Sequence, residues 1–220
     1  ISVQIPGILT DRSIAKDLPV VSVDELASHS PSVMRNSSEL AFLQYTSGST
    51  GIPKGVMVTH ANLKSNQQSM QKMFRTSTDS VISSWLPLYH DMGLIGSALH
   101  TVFIGGQAVL MPPAAFLQQP LRWLKSIETY HATVSGGPNF AYELCSLRCK
   151  DIPLNLSSWD VAFNGSEAVN GRTLEKFSRV FSGAGFRKSA FIPCYGLAEA
   201  TLFVAGADTF NENEVDYFSF

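Results

Sequence analysis

Apolar positions along the chain alternate between two periods. Residues 40–45 and 56–59 read as short buried strands, separated by a loop of Gly, Ser and Thr. From His60 to Phe74 the period lengthens: Leu63, Met70, Met73 and Phe74 recur at helical spacing among Asn, Gln and Lys. A strand is predicted at 81–86, a mostly apolar, buried helix at 92–103, and a strand at 108–111 that Pro112 and Pro113 stop. Leu121, Leu124, Ile127 and Tyr130 mark an amphipathic helix after Pro120. The unit then repeats as a strand at 132–135 and a helix through Phe140, Leu144, Cys145 and Leu147. It repeats again as a strand at 160–163 and a helix with Leu174, Phe177, Val180 and Phe181 inward, capped by Asn170. A strand at 191–195 closes the series. Strands alternating with helices of this length predict an α/β fold, a mostly parallel β-sheet flanked by helices, with binding sites at the carboxyl ends of the strands. Residues 1–38 are irregular and polar, 39–220 form the core, and no internal repeat or linker divides it.

Composition narrows the class. The 220 residues are 45% hydrophobic and carry a net charge of −2, which excludes a disordered tail and a basic nucleic-acid-binding domain. No run approaches the roughly 18 apolar residues of a membrane helix, and no basic-then-apolar start marks a signal peptide. Three cysteines, Cys145, Cys149 and Cys194, are too few for a disulfide framework, so a cytoplasmic, reducing setting is expected. Cys145 and Cys149 would share a helix face, but no further ligand lies at metal-site spacing. Charged residues are only 15%, against roughly 25% in typical soluble domains. Faces covered by other segments of a longer chain would account for that deficit, and a start at Ile1 suits a trimmed or excerpted chain.

The strand ends carry the chemistry. Thr46, Ser47, Gly48, Ser49, Thr50 and Gly51, closed by Ile52-Pro53-Lys54-Gly55, directly follow a strand. Glycines and hydroxyls this dense can converge amide and hydroxyl donors on one anion, with Lys54 as a cation at the loop's end. Pro53 before Lys54 and Gly55 after it depart from the Walker A pattern, and a flexible linker would need neither Pro nor Lys. His90 stands just past a strand beside Asp91; as a free imidazole it can donate to a carboxylate, and as a core residue it would simply be buried with a partner. The His-Asp pair lacks the further ligands of a metal site. Gly136-Gly137-Pro138 joins a strand to a helix where a ligand can approach the backbone, although a plain turn uses the same residues. A serine hydrolase is disfavoured, because no Gly-x-Ser-x-Gly elbow occurs.

Together these segments resemble the adenylate-forming (acyl-activating) enzyme superfamily. The loop from Thr46 to Gly55 is similar to its phosphate-binding motif. The order of Leu86-Pro87-Leu88-Tyr89-His90-Asp91-Met92-Gly93-Leu94, Ser135-Gly136-Gly137-Pro138-Asn139-Phe140, Phe163-Asn164-Gly165-Ser166-Glu167 and Cys194-Tyr195-Gly196-Leu197-Ala198-Glu199-Ala200-Thr201 points to the fatty acyl-AMP ligase branch. The resemblance covers about residues 40–206, the central part of the large N-terminal domain. It implies that ATP and Mg2+ are used, with Lys54 and the loop on the phosphates, Glu199 on the metal and His90 with Asp91 near the substrate carboxylate. It further implies that Tyr195 stacks on adenine, with Gly165, Ser166, Glu167, Gly196, Leu197 and Ala198 around the nucleotide, and that Gly136, Gly137 and Pro138 border the acyl tunnel. Ala198 stands where many acyl-CoA synthetases place a hydroxyl. The implied reaction activates a fatty acid as acyl-adenylate with release of pyrophosphate, followed by transfer to an acyl carrier protein or polyketide synthase partner, with no role for nucleic acid or membrane insertion. A long-chain acyl-CoA synthetase and a non-catalytic nucleotide-binding homologue are the alternatives. The family's ribose-binding aspartate and C-terminal lysine domain are expected after Phe220, and the isolated chain is therefore expected not to form acyl-adenylate.

Overall fold

In a computed structural model, residues 37–46, 54–150 and 152–207 are described. Strands β1 (Leu40–Thr46) and β2 (Lys54–Thr59) form an antiparallel ribbon. Six further strands, β3 (Val81–Ser84), β4 (Gln107–Leu110), β5 (Val134–Gly137), β6 (Val161–Asn164), β7 (Phe191–Gly196) and β8 (Phe203–Gly206), build one sheet in the order β4-β3-β5-β6-β7-β8. All neighbouring pairs are parallel except β7 with β8. The predicted α/β class therefore holds, with one antiparallel strand at an edge. Among the described residues no helix is long and apolar enough to cross a membrane.

Helix α1 (His60–Phe74) starts directly at the end of β2. Thr59 Oγ1 accepts the Asn62 amide while Asn62 Oδ1 accepts the Thr59 amide, a reciprocal capping box. The apolar stretch predicted as one helix at 92–103 is three pieces: α2 (Asp91–Gly93), a π-helix (Leu94–Leu99) and α3 (His100–Ile104). The strand predicted at 81–86 stops at Ser84, whose hydroxyl accepts the Leu86 amide and turns the chain toward Pro87, which has no amide to pair. The strand predicted at 132–135 lies two residues later, because Gly136 and Gly137 pair with Phe163 and Asn164. Helix α4 (Pro113–Gln118) and strand β8 are too short to leave a periodic signal.

Alternation along each strand assigns the two faces of the sheet. Ser83 bonds to Ser126 of α5 (Leu121–Tyr130), whereas Ser84 accepts from Ser97 of the π-helix. On the α5 side lie also α6 (Asn139–Arg148) and α7 (Gly171–Phe181), the last capped by Asn170 as its position predicts. Trp123, Tyr142, Trp159, Phe177 and Phe191 are almost wholly buried there in one continuous set of edge and stacked ring contacts. The other face is covered by α1 and the π-helical stretch. The ribbon is for the most part not buried as expected, because it stands apart from the six-stranded sheet: Leu43 and Met57 lie opposite each other across its strands, and both are exposed, as is Tyr45. This apolar surface is one place where the shortage of charge shows.

Candidate active site

A cavity of about 600 Å3 opens at the carboxyl ends of β6 and β7, where an α/β sheet is expected to bind its ligand. Its mouth is polar. Thr46 of β1, His90, Asp91, Ser166 and Glu199 line it, together with the backbone of Gly165, Gly196, Leu197 and Ala198 and the largely exposed ring of Tyr195. Its inner end is apolar, walled by Met70 and Phe74 of α1, Met92, Phe163 of β6, Leu202 and Phe203. One space thus joins an anion-tolerant rim to a hydrophobic recess.

His90 and Asp91 form a pair at the start of α2. Asp91 Oδ1 lies 2.6 Å from His90 Nδ1 and accepts the Met92 amide at 2.7 Å. The bond to Asp91 raises the imidazole pKa above its ordinary value against the opposing effect of burial, and the aspartate's charge adds to the rise. For Asp91, burial pushes the carboxyl up, but the His90 bond and charge, the Met92 amide and the Gln44 side chain outweigh it, so the group is held below its ordinary value. The pair therefore presents a half-exposed imidazole with Nε2 free of Asp91; once protonated, which the raised pKa favours, it can donate from Nε2 to an incoming carboxylate.

The two loops opposite are tightly shaped. Ser166 has φ 69°, and Thr201, a β-branched residue, has φ 76°. A side chain at Gly196 would place Cβ 2.1 Å from the Leu202 carbonyl, so this turn closes only with glycine. Asn66 of α1 holds it: its amide donates to the Ala200 and Phe203 carbonyls, and its Oδ1 accepts the Phe203 amide. Backbone strain of this kind next to a cavity is commonly tied to ligand binding.

The remaining predicted residues fall elsewhere. Ser47, Gly48, Ser49, Thr50 and Gly51 lie outside the described residues. Their flanks, Thr46 and Lys54, pair across the open end of the ribbon; Thr46 lines the cavity, while Lys54 is exposed and does not. Glu167 does not line the cavity either: its carboxylate accepts the Phe140 amide at 2.6 Å and so caps the first turn of α6. Gly136 and Gly137 are buried, and their small size is taken up by protein, since added Cβ atoms would meet Phe163 at 2.2 Å and Trp85 at 2.8 Å. Like Pro138, they do not line the cavity.

Sequence reasoning overlooked Asn66 and Gln67, two buried amides on the inward stripe of α1, and the aromatic wall of Phe74, Phe163 and Phe203. A signal was available: positions 63, 66, 67, 70 and 74 form one helical stripe, and amides within it mark polar groups with buried partners. Among the described residues no cluster of three or more His, Cys, Asp or Glu is placed to hold a metal. Glu199 offers a single exposed carboxylate at the mouth, which suits Mg2+ because that ion is commonly held by one or two carboxylates plus substrate phosphates.

A family model described as AMP-binding enzyme matches residues 3–217. The chain is 50% identical over 177 residues to the medium-chain-fatty-acid–[acyl-carrier-protein] ligase TtuA of Teredinibacter turnerae, covering 79% of this chain and 28% of that protein. It is 46% identical over 173 residues to the corresponding ligase JamA of Moorena producens, covering 77% and 29%. Among solved structures it resembles a fatty acyl-adenylate ligase from L. pneumophila, in complex with acyl adenylate and pyrophosphate, with TM-score 0.77 and 51% identity over 84% of this chain and 33% of that one. The chain thus spans about a third or less of the length of these relatives.

Proposed function

The chain belongs to the AMP-binding enzyme family, and from that premise we propose that it forms part of a fatty acyl-AMP ligase. The observation that carries this reading is a cavity that runs without a break from a polar mouth to an apolar recess. A fatty acid fits it with the carboxylate beside His90 and the chain against Phe74, Phe163 and Phe203. The carboxylate oxygen attacks the α-phosphorus of ATP, the bond to the pyrophosphate oxygen breaks, and acyl-adenylate and pyrophosphate result.

In such a step the protein mainly positions reactants and stabilises charge. His90, oriented through Asp91, holds the attacking carboxylate. Tyr195 offers its exposed ring to the adenine, and the backbone of Gly165 and Gly196 approaches the nucleotide closely. The glycine- and hydroxyl-rich segment between Thr46 and Lys54 has the composition to bind the leaving pyrophosphate. Glu199 would hold Mg2+, which when bound neutralises phosphate charge. The thiol of an acyl carrier protein, the acceptor named for TtuA and JamA, then takes the acyl group as a thioester, giving up its proton, while the acyl–phosphate bond breaks and AMP leaves.

Fatty-acid-dependent exchange of labelled pyrophosphate into ATP, measured on the full-length protein, tests the first step. Glu199→Ala is expected to lower the exchange rate by about a hundredfold or more while leaving the thermal midpoint unchanged. Exchange that is independent of fatty acid, or unaffected in this variant, would refute the reading. Product analysis with acyl carrier protein against coenzyme A then identifies the acceptor.

A further inference from the structure

Behind the apolar end of the cavity lies a closed polar circuit that the proposed reaction does not use. The His100 ring is fully buried, with Nδ1 bonded to Gln67 Oε1 and Nε2 2.9 Å from Thr76 Oγ1. Gln67 Nε2 donates to the Ile95 carbonyl at 2.9 Å. That amide group therefore presents its oxygen to the ring, so Nδ1 carries the hydrogen and Nε2 accepts from the Thr76 hydroxyl. A neutral imidazole satisfies both bonds, and burial keeps it neutral by pulling its pKa down to about 4.

The circuit converges on one backbone group. The Ile95 carbonyl also accepts the His100 amide, an i to i+5 bond of the π-helix. In α-helical register that amide would bond to Gly96 instead. The second donor from Gln67 favours the wider turn by fully satisfying the buried Ile95 carbonyl.

The register matters because of what the turn presents. Gly96 lines the cavity, and a Cβ there would lie 3.1 Å from Leu202 Cδ2. Met70 and Phe74 follow Gln67 on the same stripe of α1. The Phe74 ring meets His100 edge-on, with centroids 6.5 Å apart, and stacks on Phe163. The circuit is thus the immediate backing of the hydrophobic recess.

The geometry points to Gln67 and His100 as positioning residues that hold the π-helical turn in register, fix the depth of the apolar recess and so set the acyl chain length the site accepts. This rests on the acid-activating reading above, in which the recess takes the hydrocarbon chain.

The test uses the full-length protein and acyl-sulfamoyl-adenosines from butanoyl to hexadecanoyl, stable mimics of the adenylate, with AMP as the probe of the nucleotide end. Affinities are measured by calorimetry. Gln67→Leu and His100→Phe are expected to weaken the preferred acyl mimic about tenfold and flatten the chain-length profile, with AMP affinity unchanged. His100→Asn, whose amide can donate to Gln67 in place of Nδ1, is expected to restore the profile. Gly96→Val leaves the circuit intact and fills the recess, so it is expected to move the optimum to shorter chains even if the circuit variants fail to fold. A parental profile in Gly96→Val or in folded Gln67→Leu would overturn the inference. A parent protein that binds no acyl mimic better than AMP would overturn the acid-activating reading and the inference with it.

Discussion

The two faces of the sheet are built on opposite principles. On one, α5, α6 and α7 close over rings: Trp123 alone contacts Trp85, Phe116, Tyr142 and Trp159, and its indole N–H reaches Ser135 Oγ. On the other, α1 and the π-helix bury Asn66, Gln67, His100, Ser84 and Ser97, and they leave a cavity. Aromatic packing without gaps fills space and stabilises. A buried polar circuit adds little net stability, but it admits few alternative geometries and so can hold a void open against collapse. The first face makes the fold and the second makes a site within it.

That contrast can be broken most directly at Trp123. Trp123→Ala is expected to cost about 3–5 kcal/mol, read as the shift of the urea midpoint, because the ring is fully enclosed; the Ser135 hydroxyl loses the indole donor but keeps its bond to the Ser83 carbonyl. A loss below about 1 kcal/mol would show that the closed face tolerates a void, against the packing argument.

Acid should attack the other face. His100 is held neutral with its pKa near 4, below the ordinary value of 6.5, so between those values the unfolded chain takes up a proton that the folded one refuses. Stability present above about pH 6.5 is then lost as the pH falls toward 4, by up to about 3 kcal/mol. Denaturant melts across that range should show the loss in the parent and not in His100→Asn. An identical pH dependence in the two would mean that another group governs acid sensitivity.

A smaller change sharpens the division of labour. Asn66→Ala removes three hydrogen bonds from the turn that carries Glu199 and is expected to cost about 1–3 kcal/mol. Hydrogen exchange should localise the loosening to Ala200 through Phe203 and leave β5 and β6 protected. Loss of protection spread equally over both faces would erase the distinction.

Much of the architecture was legible in the chain itself. Short apolar runs located β1 and β2, and period-3.6 stripes located α1 and the helices of the later βα units, since burial of one helix face writes a repeating pattern. The motif segments placed His90, Asp91, Gly165, Ser166 and the run from Tyr195 to Glu199 at strand ends, and the fold draws all of them to one cavity. Glu167, Gly136 and Gly137 sit in equally suggestive segments but serve capping and close packing around Phe163 and Trp85, and Pro138 leads into α6. No local pattern separates these uses, because a carboxylate at a helix N-terminus and one at a ligand look alike in sequence.

What the chain determined alone was therefore local: the element types, the α/β class and the set of residues able to do the chemistry. Which of them share a space was decided by contacts between positions far apart. Asn66 reaches Phe203 across 137 residues, and Gln67 reaches Ile95 across 28. The mostly apolar segment from 92 to 103 carries no periodic sign that its middle is a π-helix. That turn depends on donors from another helix satisfying one carbonyl, and only the packed tertiary structure brings them within bonding distance.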